Sequence, residues 1–328
     1  MPYDAIIVGG GFAGLAAATY LARGRRSVYV LDAGSPRNRF AEHSHGFLGQ
    51  DGADPRAILD AARTQLQAYP QVRVEQGQAL AARATGAGFE VNLGSGDTLQ
   101  ASRIILAFGV SDVLPSVPGL ADRWGKSVLH CPYCHGFEFS DRQLGVLWMS
   151  QRSAHQAMLI AEWGPTTLFL DGRPAPDPDI LVELARRGVR VEPGKVAALE
   201  GVGPGLSHLR LEDGRRCATE ALYVSPPTIL NSPLAEQLGC VLDDGLFGPV
   251  IRTNADKSTT VAGVYAAGDI ARAPHSVSWA AADGVTAGIA AHRSLVSRSP
   301  PRLIAEPRAQ PGCSEPPARS RPPPPWAG

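Results

Sequence analysis

The stretch Gly9-Gly10-Gly11-Phe12-Ala13-Gly14 constrains the fold more than any other part of this 328-residue chain. It follows a short apolar run, Tyr3 to Val8 (YDAIIV), of the kind that forms a strand buried on both faces. It opens an alanine-rich helix from Leu15 to about Arg23, and a second strand, Ser27 to Leu31, ends in Asp32. An acid about 20 residues past G-x-G-x-x-G, at the tip of the second strand, is placed to bind ribose hydroxyls. Gly9 permits the tight turn, Gly11 lets a pyrophosphate approach the backbone, and Gly14 lets helix and strand pack closely. The helix N-terminus then faces the diphosphate. With strand, helix, strand and acid in register, the pattern predicts a dinucleotide-binding α/β unit.

The chain is long enough for two domains with full hydrophobic cores. Its formal net charge is +0, which offers nothing to nucleic acid or an anionic membrane. No apolar run approaches the roughly 18 residues needed to span a bilayer. The start has no basic segment and enters the glycine motif at once, which argues against a signal peptide. Five cysteines with one close pair do not make a secreted disulfide framework, so the reducing cytoplasm is the expected compartment.

Ala33 to Gln50 reads as loop, and its Arg37, Asn38 and Arg39 either reach phosphate or ribose oxygens or form a solvated basic loop. Asp54 to Tyr69 predicts an amphipathic helix capped by Asp54 with Pro55 at its first position. The runs 72–76, 79–84, 89–93 and 97–101 predict a small antiparallel excursion, with Gly94-Ser95-Gly96 as a turn. Arg103 to Phe108 is a further buried strand closed by Gly109, and Pro115 to Gly119 is a crossing into a second domain. There, strand 143–149, helix 153–163 and strand 166–170 repeat the order of a nucleotide-binding unit, but Met149-Ser150-Gln151 stands where G-x-G belongs. Side chains at that turn fill space a pyrophosphate needs, and Asp171 stands where a basic cluster would hold a 2′-phosphate. NADP(H) binding is therefore doubtful.

Between these units lies Cys131-Pro132-Tyr133-Cys134-His135-Gly136. Two thiols separated by two residues fit one helical turn, where a disulfide can form and the helix N-terminus lowers a thiol pKa. No second C-x-x-C or H-x-x-x-H follows, so a redox pair is a better reading than zinc, and no metal is expected. Near the other end, the strand through Thr260 to Ala267 ends in Gly268-Asp269, an acid placed to hold a flavin's ribityl chain. The following helix, Val277 to Ser294, can aim its first amides at the flavin pyrimidine oxygen. Ten prolines between Pro300 and Pro325 mark a disordered tail, in which Cys313 has no assigned role.

GGGFAG, LAFG at 106–109, the C-x-x-C and GVYAAGD at 263–269 together resemble the low-molecular-weight thioredoxin reductases over about residues 1 to 295. Within that superfamily, CPYCHG with a degraded second glycine motif is most similar to the dithiol oxidases of natural-product pathways, those that close the disulfides of gliotoxin, holomycin and romidepsin-type compounds. The resemblance implies two Rossmann-like α/β domains. An FAD domain would comprise 1–115 and 243–296, an inserted, degenerate NAD(P)-type domain 116–242, and the tail 297–328. It implies FAD held at Gly9, Gly11, Gly14, Asp32 and Asp269, with further contacts at Phe12, Ala13, Ala33, Arg37, Asn38, Arg39, His45, Ala79, Ala107, Gly109, Gly268 and Val277. Cys134 would lie beside the isoalloxazine and Cys131 would meet substrate. Thioredoxin reductases carry an acid after the second cysteine; this chain has His135, either a base for substrate thiols near neutral pH or a residue of the helix surface. The expected partners are a small-molecule dithiol, molecular oxygen and a second copy of the chain. The alternative is an NAD(P)H-dependent disulfide reductase.

Overall fold

The computed structural model describes residues 2–298; the proline-rich segment lies outside them. β1 (Tyr3–Val8) leads into α1 (Phe12–Arg23), β2 (Val28–Asp32) and α2 (Pro55–Gln67). The Asp54 carboxylate accepts from the Arg56 N–H at 2.8 Å, capping α2 with Pro55 in its first turn, as its sequence predicts. β3 (Val72–Gln76) follows, then β4 (Ala79–Thr85), β5 (Gly88–Leu93), β6 (Thr98–Leu106) and the short β7 (Val110–Asp112). Two expectations change here. β3 pairs in parallel with β2 and extends the main sheet, so only β4, β5 and the first half of β6 form the antiparallel excursion. The strands expected at 97–101 and 103–108 are one, because Arg103 stays buried inside β6 with its guanidinium on Ser294.

The chain then crosses to β8 (Val128–Leu129), α3 (Pro132–His135), β9 (Leu144–Leu147), α4 (Arg152–Ile160) and β10 (Thr166–Phe169). Next come α5 (Pro178–Arg186), β11 (Arg190–Glu192), β12 (Val196–Glu200), β13 (His208–Leu211), β14 (Arg216–Ala218) and β15 (Ala221–Tyr223). β8, β9, β10, β11 and β15 make a parallel sheet in the order β11-β10-β9-β15-β8, and β12 to β14 a three-stranded meander. Returning, the chain forms β16 (Thr228–Leu230), α6 (Leu234–Gln237), β17 (Leu242–Asp244), β18 (Pro249–Ile251), β19 (Val264–Ala266) and α7 (Val277–Arg298).

The first sheet has the order β3-β2-β1-β6-β5-β4, with β19 on the second half of β6. Ile6, Ile104, Val264 and Phe89 pack on one face, Ile7, Leu21, Val30 and Ile105 on the other. β16 pairs with β7, and Leu234, Ala235, Leu238 and Cys240 enter the first core. Residues 228–242 therefore pack with the first sheet. α1 and α7 meet through small residues: a Cβ on Gly284 would lie 2.0 Å from the Ala13 carbonyl oxygen, and one on Gly288 2.7 Å from that of Ala17.

Candidate active site

β1, β2, β6 and β19 run parallel, and their C-terminal ends form the crevice where open α/β sheets bind ligands. Gly9 turns the chain with φ +114°, and a Cβ there would lie 2.1 Å from the Ala107 oxygen. One on Gly14 would lie 1.8 Å from the Gly9 oxygen, so the turn closes only on glycine. At Gly11 nothing lies within 4 Å, and no side chain caps α1, leaving its first amides to an anion. Asp32 stands beside this turn, accepting from the Gly34 N–H at 3.0 Å and from Arg63 Nη2 at 2.7 Å. These residues fit a dinucleotide such as FAD. Sequence reading does not single out Arg63, because a pairing between α2 and the tip of β2 leaves no local pattern.

Arg37 is mostly buried and joins three distant segments. Its Nε and Nη2 donate to the Asp112 carboxylate at 2.9 and 2.5 Å, and Nη1 reaches Asp269 at 3.2 Å and His275 Nδ1 at 2.6 Å. Burial opposes its charge, but the two carboxylates outweigh burial and hold its pKa above the ordinary value. Its field also lowers the pKa of both Cys131 and Cys134.

The two thiols lie 2.9 Å apart, Cys131 just before α3 and Cys134 inside it. Cys131 is brought down to about 7, first by the Cys134 S–H and then by the amides of Cys134 and Tyr133. Cys134 is pushed up, first by the same hydrogen bond and then by burial. The first proton the reduced pair loses therefore comes from Cys131. His135 follows directly, half-buried, with its pKa lowered mainly by desolvation, so its imidazole is neutral at pH 7 and able to accept a proton.

Residues 3–154 match the family described as pyridine nucleotide-disulphide oxidoreductase. The thioredoxin reductase sirT of Leptosphaeria maculans is 32% identical over 306 residues, covering 87% of this chain and 92% of its own. The chain belongs to the thioredoxin-reductase-like pyridine nucleotide-disulphide oxidoreductases. An oxidoreductase structure from Agrobacterium tumefaciens is 42% identical with a TM-score of 0.87, over 91% of this chain and 100% of that one. HlmI is 35% identical with a TM-score of 0.85, over 90% and 93%. A thioredoxin-reductase-like enzyme of this family is a flavin-binding oxidoreductase with two α/β units.

In this thioredoxin-reductase-like chain the remaining sequence-predicted residues are spread unevenly. Phe12 meets Phe47 edge-on at 6.0 Å, Ala13 packs under Gly268, and Ala107 lies against Gly9. Gly268 and Gly109 take φ +82° and +70°, and Val277 begins α7. Ala33 is exposed at the tip of β2, and Ala79 pairs with Leu93 and packs on the first core. Asn38 accepts from the Ala41 N–H through its backbone, whereas Arg39 lies over Phe40 and donates to the Pro36 oxygen. His45 is drawn toward α3, standing edge-on to His135 with ring centroids 6.4 Å apart.

The second dinucleotide motif is built differently from the first. Ser153 Oγ accepts from the Met149 and Ser150 amides at 2.9 and 3.4 Å, so part of this turn is already engaged, while the first amides of α4, like those of α1, have no side-chain cap. Asp171 accepts from the Val196 N–H at 3.0 Å, and Arg152 lies over the Phe247 ring. Among the described residues no cluster suits a metal ion, and no helix is long and apolar enough to cross a membrane.

Proposed function

We propose that this thioredoxin-reductase-like chain is an FAD-dependent dithiol oxidase that closes an intramolecular disulfide in a small natural product. The observation that carries this reading is the contrast between its two glycine turns. The first is glycine, with open space at Gly11 for a pyrophosphate; the second carries the side chains of Met149, Ser150 and Gln151, and its Met149 and Ser150 amides are tied to Ser153. The nucleotide that a reductase needs has no ready anchor, whereas a dithiol finds a thiol pair, a cation and a base together.

His135 takes the proton from one substrate thiol, and the thiolate attacks Cys131 of the Cys131–Cys134 disulfide. The Cys131–Cys134 bond breaks, and Arg37 steadies the Cys134 thiolate that leaves. The second substrate thiol gives up its proton and attacks the substrate sulfur of the mixed disulfide. Cys131 departs as a thiolate, suited by a pKa near 7, and the product leaves as a disulfide. Two electrons and two protons now rest with the protein. Bound FAD would supply the acceptor for that electron pair, with molecular oxygen as final oxidant and hydrogen peroxide as its product. Gly9, Gly11, Gly14 and Asp32 would hold its diphosphate and ribose, Asp269 its ribityl chain, and the first turn of α7 its pyrimidine edge.

We infer a cytoplasmic enzyme from its cysteine usage, and a homodimer from the family resemblance. Anaerobic mixing decides the direction of electron flow. A small dithiol should bleach the flavin while NADPH and NADH leave it yellow, and air should then restore the colour with release of peroxide. Rapid bleaching by micromolar NADPH, with reduction of thioredoxin, would assign the chain to the reductases.

A further inference from the structure

Oxidation of a dithiol sheds two protons, and His135, half-buried beside the redox pair, can hold only one. The loop from Glu42 to Ala53 supplies an outlet. It is tied to itself by Ser44 N–H to the Ala53 oxygen at 2.8 Å and Gly46 N–H to Asp51 Oδ1 at 2.8 Å, and to α7 by Ser278 Oγ to the Gly46 oxygen at 3.1 Å. These ties fix His45, whose side chain is 21% exposed, between two carboxylates from different segments. Its Nδ1 lies 3.5 Å from Asp51 Oδ1, and its Nε2 3.4 Å from Glu138 Oε1 in the turn after α3. Its ring stands edge-on to that of His135, 6.4 Å between centroids, a gap one water molecule can bridge. Exposure rises outward along this path, to 43% at Glu138 and 73% at Asp51.

We propose that His45 is a positioning residue for His135 and the outlet for its protons, passing them to Glu138 and Asp51 and so to water. The inference rests on the dithiol-oxidase reading and adds a residue that the resemblance assigned to the cofactor. A proton on His135 moves across the edge-on pair to His45, which stands within reach of the Asp51 and Glu138 carboxylates, and His135 returns to its neutral form for the second thiol. The charged groups facing His45 are Asp51 and His43 on its own loop and Glu138 and His135 beyond it; the Glu42–Lys126 ion pair lies farther along the same seam. Burial lowers the His135 pKa most; Glu138 raises it, and His45 and His43 lower it further.

The test mixes FAD-loaded wild type and His45→Gln anaerobically with dithiothreitol and follows flavin bleaching across pH. Glutamine keeps a hydrogen-bonding side chain but carries no proton. His45→Gln should bleach about tenfold more slowly near neutral pH, keep its FAD, and regain rate with added imidazole. Glu138→Gln should shift the pH profile downward. Wild-type rate and profile in His45→Gln, slowing that imidazole does not relieve, or loss of FAD would each overturn the proposal. A histidine-resolved NMR titration gives a second readout that needs no turnover: His45→Gln should raise the His135 midpoint, and an unchanged midpoint overturns the coupling. Wild-type flavin that dithiothreitol never bleaches would fail the oxidase reading, while this titration would still decide for or against the pair.

Discussion

Replacing Arg37 with methionine keeps a long apolar stem but removes the charge between Asp112 and Asp269. Those carboxylates are 5% and 19% exposed, so neither gains much from water once its partner is gone. Breaking a buried, hydrogen-bonded ion pair from one side costs about 3–5 kcal/mol. At about 2–4 °C per kcal/mol for a chain of this size class, the melting temperature of the FAD-loaded protein should fall by about 6–20 °C. Calorimetry on the holoprotein measures this directly. The double variant Arg37→Met/Asp112→Asn should recover part of the loss, because the stranded charge at Asp112 is then gone. A single variant melting within about 2 °C of wild type would refute the claim that this guanidinium holds the three segments together.

Three other outcomes follow from the same geometry. Gly11→Ala should fold with wild-type stability, because no atom lies within 4 Å of the added Cβ, yet it should retain FAD poorly when purified; equal flavin content sinks the pyrophosphate assignment. Iodoacetamide should alkylate reduced protein at Cys131 with a midpoint at about pH 7, leaving Cys134 untouched, and mass spectrometry of the peptide reports which thiol reacted. In wild type the thiol step should fall only below the ordinary histidine value of 6.5, since His135 is a base when neutral and its pKa is lowered. His135→Ala should instead follow ionisation of the substrate thiol, climbing toward about pH 8.5, and an unchanged stopped-flow profile would remove His135 from the chemistry.

The first glycine turn was readable in sequence because each part of it is local: four short segments in a fixed order, each with its own pattern. β3 was less so. Its run Val-Arg-Val-Glu-Gln alternates like a hairpin strand, and only its parallel partner β2 shows that it is the outer strand of the main sheet. α5 gave no expectation, although Asp177-Pro178 carries a start signal. The site divides the same way. Cys131, Cys134 and His135 are neighbours in sequence, whereas Arg63 at Asp32 and Arg37 between Asp112 and Asp269 depend on contacts spanning 31 to 232 residues. His45 lies in a loop without a pattern of its own, and its place between Asp51, Glu138 and His135 is visible only in the fold.

The seam of Ala13, Ala17, Gly284 and Gly288 bears on how the protein is made. α1 leaves the ribosome early, but the helix that covers it begins only at Val277. At about 5–20 residues per second, the nascent chain waits about 10–50 s with that surface of α1 bare. The second sheet, whose strands all lie between Val128 and Tyr223, can pair within itself during that wait. The first unit then closes around a domain that is already folded, and a chaperone guarding α1 would have its longest engagement in that interval.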